Sequence, residues 1–148
     1  MPGLYFEEFS VGQKIVSMAR TVAESDIMTF AGLTGDYNQI HTDAEFARGT
    51  QFGQRIAHGL LGMSVGVGLL MRTGVLEGTV IAFREIVEWK FIKPTFIGDT
   101  IHAVMEVKEK KAMPRIGGGL AAVAVEVLNS QDEVLMKGTL SLLIALKP

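Results

Sequence analysis

The stretch Ile56–Met71, IAHGLLGMSVGVGLLM, contains no Asp, Glu, Lys or Arg. Its length and flanks predict a helix over about 56–72 with its N-terminus near His58. A helix without a polar face must be covered on most sides. Gly59, Gly62 and Gly66 recur at i, i+3 and i+7 and so share one side of that helix. Each glycine costs roughly 1 kcal/mol of helix stability relative to alanine, which makes sense only if a sheet or a ligand approaches the backbone closely. At about 16 residues the run falls short of the roughly 20 needed to span a bilayer. A helix buried inside a globular core fits it better than a membrane dimer built on Gly62 and Gly66.

The cover for this helix must come from the rest of the chain. Four strands are predicted at about 79–92, 99–112, 119–129 and 133–146. Thr95 to Thr100 after Pro94, Pro114 to Gly119 and Asn129 to Glu133 supply turn residues between them. Val123, Val125 and Val127, like Leu140, Leu142 and Ile144, alternate with the period of a strand that buries one face. Residues 13–22 read as a first strand, after an irregular lead-in over 4–12 in which Tyr5, Phe6 and Phe9 can cap a core. Short connections imply antiparallel pairing. A helix over about 25–34 is predicted, with Ser25 as N-cap, Asp26 in the first turn and Gly35 as its end, and Asp43 caps a short helix over 44–48. The expected architecture is α+β, an antiparallel sheet of five or six strands around one long apolar helix, in a single domain over residues 1–148.

A length of 148 residues with 48% apolar and 20% charged side chains is globular rather than disordered. A net charge of −2 offers no footprint for nucleic acid. The absence of cysteine excludes a disulfide frame and a thiol nucleophile, which suits a cytoplasmic protein. The acidic beginning MPGLYFEEFSVG has neither the basic nor the apolar region of a signal peptide. No membrane or nucleic-acid partner is expected. Gly117-Gly118-Gly119 lies between strands and reads as a hairpin turn, and no GxSxG elbow is present. Lys108, Lys110, Lys111 and Arg115 read as a solvated hairpin face, and His102 as a surface residue in a strand.

Ahead of the glycine helix lie Asp36 and His41. Five residues apart, they would sit about 140° from one another on a helix, so they act together only from an irregular loop. Gly35, Asp36 and Asn38 favour one. Alone, Asp36 reads as a turn residue, His41 as a structural histidine and Gly59 as helix packing. Together they place an acid, an imidazole and a helix N-terminus beside the most buried element. Such groups can share a water and hold a developing oxyanion. With three histidines spread along the chain and no HxH or HExxH, no metal site is expected.

The run GDYNQIHTDAEFA, followed by FGQRIAHG, resembles the signature of the MaoC-like dehydratases, the (R)-specific enoyl-CoA hydratase group of the hot-dog fold. YFEEFSVGQ and WKFIKPTFIGDT also look like segments of that family, so the resemblance covers nearly the whole chain. It implies that Asp36 and His41 activate water for addition to an enoyl thioester and that the Gly59 N–H holds the thioester oxygen. It further implies that Asn38 shapes the loop, that His58 belongs to the oxygen-holding corner and that Ser64 steadies the site. A homodimer binding an acyl-CoA thioester, with no dissociable cofactor, is implied as well. Gln39 departs from the pattern, standing where the family carries proline. The rival expectations are an acyl-CoA thioesterase and a non-catalytic acyl-binding subunit of the same fold.

Overall fold

The computed structural model describes residues 3–148. Its elements run β1 (Lys14–Val16), β2 (Arg20–Thr21), α1 (Glu24–Thr34), α2 (Gln39–Thr42), α3 (Ala44–Arg48), α4 (Gly59–Met71), β3 (Val80–Phe91), β4 (Thr100–Met113), β5 (Gly118–Leu128) and β6 (Val134–Ala145). The sheet order is β1-β4-β5-β6-β3, with β2 also paired to β4 and every pairing antiparallel. The four long strands are present, and β5 and β6 bury alternate residues as their sequences suggest, whereas β3 is exposed along most of its length. Buried Val123, Val125, Val127, Leu140, Leu142 and Ile144 form the floor on which α4 lies.

The predicted first strand is broken in two. Ser17 interrupts it, its hydroxyl donating to the Met18 carbonyl and accepting the N–H of Ala103 on β4. A side chain thereby takes over one rung of the ladder and lets the chain bend. Helix α1 begins one residue before Ser25: the N-cap is Ala23, whose N–H is taken by the Asp26 carboxylate at 2.8 Å. The acid reaching back from the first turn, rather than a serine cap, closes this end. Asp43 caps α3 as expected, accepting from the Phe46 N–H at 2.9 Å. Phe6 and Phe9 of the lead-in are buried.

Helix α4 starts three residues later than its apolar pattern suggests. Ile56 bridges to Phe96, and the Ala57 N–H donates to the Thr95 carbonyl at 2.8 Å. These two residues are therefore strand-like, and His58 becomes the N-cap of a helix whose first residue is Gly59. The glycine stripe faces the sheet. A Cβ on Gly59 would lie 2.8 Å from the Phe91 ring of β3, one on Gly62 2.5 Å from the Met136 methyl of β6, and one on Gly66 2.6 Å from a Val127 methyl of β5. Each glycine thus meets a side chain of a different strand, and α4 packs most extensively against β4. Cover is not complete, however, because Leu60, Ser64 and Gly68, four residues apart, lie on an exposed stripe. No helix among the described residues is long and apolar enough to cross a membrane.

The two inner glycines differ in what they meet. Met136 is flexible and can yield, whereas Val127 is stiff about χ1. Gly66→Ala is expected to destabilise the protein by about 1–3 kcal/mol through overpacking, while Gly62→Ala stays within about 1 kcal/mol because the gain in helix propensity offsets the shift of Met136. Thermal unfolding of the two variants checks the order.

Candidate active site

The site is assembled by a chain of local hydrogen bonds, each spanning two residues, that begins where α1 stops. Gly35 ends that helix with φ +80°, a conformation open to glycine. The Thr34 hydroxyl accepts the Asp36 N–H at 3.2 Å, the Asp36 carboxylate accepts the Asn38 N–H at 3.2 Å, and the Asn38 side chain accepts the Ile40 N–H at 3.1 Å. The last of these caps the single turn α2, which the sequence pattern did not reveal and which carries His41. Gln39 is the first residue of that turn, the position at which proline is best tolerated. Asn38 has φ −52° and ψ 138°, the extended conformation that a following proline would favour. The loop therefore holds with Gln39, through side-chain bonds in place of a ring.

His41 is buried, and its Nδ1–H donates to the Ile56 carbonyl at 2.7 Å. A carbonyl only accepts, so Nε2 carries the lone pair. Burial pushes this imidazole below the ordinary histidine range. The Ile56 carbonyl and the Asp36 carboxylate pull the other way, and nearby His58 adds to the lowering. His58 stacks on His41 with ring centroids 3.8 Å apart and an interplanar angle of 28°. Its Nε2–H donates to the Asp36 main-chain carbonyl at 2.9 Å.

Donor atoms of Asp36, His41 and His58 lie within 4.8 Å of one another. Spacing along the chain did not foretell this cluster, because the two histidines meet only through the fold. It suits a metal poorly. An imidazole binds an ion along its own ring plane, and two nearly parallel stacked rings do not converge on one point. One nitrogen of each ring is also committed to a carbonyl.

His41 and Gly59 border one cavity of about 500 Å³, walled chiefly by apolar groups including Ile40, Phe52, Leu60, Phe91 and Met136. Gly59 is the first residue of α4, so its N–H has no acceptor within the helix and carries the positive end of the dipole. Lys93 and Thr95 are the further polar linings, and nothing in the sequence marked either. Asp36 is exposed and outside the cavity lining, with its carboxylate within 4.8 Å of a His41 nitrogen. Asn38 shapes the loop, and His58 lies behind His41 rather than in the cavity wall. Ser64 stands apart, in a separate depression with Arg20 and Arg72 on the outer side of α4.

An antiparallel sheet curled round one helix, with an acid and an imidazole at the helix N-terminus, defines a hot-dog protein with a polar site at the end of its central helix. The MaoC like domain matches residues 8–128, and the chain belongs to that family. It is 38% identical over 103 residues to an (R)-specific enoyl-CoA hydratase of Rhodospirillum rubrum, covering 70% of this chain and 69% of that one. It is 38% identical over 106 residues to protein MaoC of Klebsiella aerogenes, covering 72% of this chain but only 31% of that longer protein. The structure of a protein described as a monoamine oxidase regulatory protein from Archaeoglobus fulgius superposes with a TM-score of 0.92 at 40% identity, covering 100% of this chain and 98% of that one.

The His41 geometry has a measurable consequence. An NMR titration of its ring should give a midpoint below 6.5, the ordinary value; a midpoint at or above it would contradict the burial account. Because the folded state disfavours the proton, the unfolded chain binds it more readily. The stability this group contributes is thus present above pH 6.5 and is lost as pH falls below it.

Proposed function

We propose that the protein catalyses reversible (R)-specific hydration of a trans-2-enoyl-CoA to the 3-hydroxyacyl-CoA. The observation that carries this is His41, its Nδ1 held by the Ile56 carbonyl, and the first residue of α4 bordering one apolar cavity. In the proposed reaction the thioester oxygen lies against the Gly59 N–H, which stabilises the enolate-like state. Asp36 and His41 hold a water between them. Its proton passes to this pair, its oxygen adds to C3, and C2 receives a proton from the same pair, so one water is consumed and no cofactor is required. The name of the Rhodospirillum relative supports both the reaction and its stereochemistry.

A homodimer accompanies this proposal. Strand β3 lies at the sheet edge and carries exposed Ile81, Phe83, Ile86, Val87 and Phe91, a row that a second copy would cover. Phe91 and Ile92 also wall the cavity, so the partner would border the substrate. Ile86→Lys is expected to shift the sedimentation mass from two chains toward one; an unshifted dimer would place the interface elsewhere.

Asp36→Asn and His41→Ala should each lower kcat for crotonyl-CoA by roughly 100-fold or more, the scale of a positioned acid–base group. Enoyl absorbance and free thiol, followed together, separate hydration from thioester hydrolysis. Near-normal turnover in either variant contradicts the assigned roles. The name of the Archaeoglobus neighbour supports a second reading, a regulatory subunit without catalysis. A wild-type protein that binds acyl-CoA by calorimetry yet turns over none would favour it.

A further inference from the structure

The proposed chemistry uses His41 and leaves its buried neighbour unexplained. His58 is 3% exposed and lies between two rings, His41 at 3.8 Å and Phe30 of α1 at 4.8 Å. It is the N-cap residue of α4, yet its side chain makes no capping bond. Packing does not call for an imidazole either. A phenyl ring would fill the same space, whereas His58 buries Nδ1 with no partner, a cost to folding. What the imidazole does supply is the Nε2–H held by the Asp36 main-chain carbonyl at 2.9 Å.

Two bonds therefore cross between the loop and the segment that enters α4. His41 reaches from the loop to the Ile56 carbonyl, and His58 reaches from the helix entry back to the Asp36 carbonyl. Each acceptor is a carbonyl, so the two stacked rings carry their protons on opposite nitrogens, Nδ1 in His41 and Nε2 in His58. The Asp36 carboxylate and His41 are the titratable groups near the His58 nitrogens, all within 4.8 Å, and Phe30 brings no charge. Asp36 itself sits on an exposed loop, where only local turns and this bond define its main chain.

We infer that His58 is a positioning residue, whose Nε2–H fixes the Asp36 backbone so that the carboxylate stays against the His41 ring stacked on it. The inference rests on the hydratase proposal. A misplacement of about 1 Å at a reacting group can cost on the order of 100-fold in rate, and that is the effect its loss would produce.

The test compares wild type, His58→Phe and His58→Gln in hydration of crotonyl-CoA. Phenylalanine keeps the ring and removes the donor; glutamine keeps a donor at nearly the same reach and removes the ring. His58→Phe should lose on the order of 10- to 100-fold in kcat with KM little changed, and His58→Gln should be clearly the faster variant. Wild-type kcat in His58→Phe, or equal losses in both variants, would overturn the role given to Nε2–H. Should His58→Phe fail to fold, nitrogen NMR of the wild-type rings still decides. Protons on Nε2 of His58 and Nδ1 of His41 are expected, and the opposite tautomer in His58 would overturn the proposal. An inactive wild type would instead bring down the hydratase assignment itself.

Discussion

The site depends on a two-residue bridge ahead of the central helix. Ile56 and Ala57 pair with Thr95 and Phe96, which holds them extended and stops the helix from starting at the edge of its apolar run. Had α4 begun at Ile56, the Ile56 carbonyl would accept the N–H four residues on. Instead it is free to take Nδ1–H of His41 at 2.7 Å. The same bridge makes Gly59 the first helical residue, so the unpaired N–H groups of the first turn emerge at the cavity. One strand-like contact thus sets the histidine tautomer and the place where the N-terminal end of α4 meets the cavity.

The second constraint is closeness. The glycine stripe lets α4 approach Phe91, Met136 and Val127 to distances at which a methyl group would collide. That packing presses the helix N-terminus into an apolar surround, where a dipole acts with little screening. His41 shares the surround and is held below its usual proton affinity by burial, so its Nε2 lone pair is available at neutral pH. Asp36, exposed beside His41, keeps its carboxylate in contact with water. One partner of the pair is dry and the other wet, an arrangement suited to taking up a water and passing its proton inward.

Much of this was legible in the residues. The strands around Val123–Val127 and Leu140–Ile144 followed their alternation, and Gly59, Gly62 and Gly66 announced a close sheet before any sheet was visible. The signature around Asp36 and His41 pointed to the family that the matched domain shows. What escaped was tertiary. Nothing in the spacing of His41 and His58 foretells stacked rings, since sixteen intervening residues fold back only through the bridge at Ile56. The split of the first strand at Ser17 depended on a side-chain bond to β4, and the cap of α1 passed from Ser25 to Asp26 for a similar reason. Ser64 matched a motif by position along the helix but faces outward, away from His41. Gln39, odd as a sequence feature, is ordinary as the first residue of a turn already capped by Asn38.

The most direct test follows the oxygen atom. Incubating the purified protein with crotonyl-CoA in heavy-oxygen water, and analysing products by mass spectrometry after chiral separation, reports where the water goes. The account predicts the label in the 3-hydroxyl of the (R)-3-hydroxybutyryl thioester, with the CoA still attached. Label in a free carboxylate, accompanied by released thiol, would contradict it.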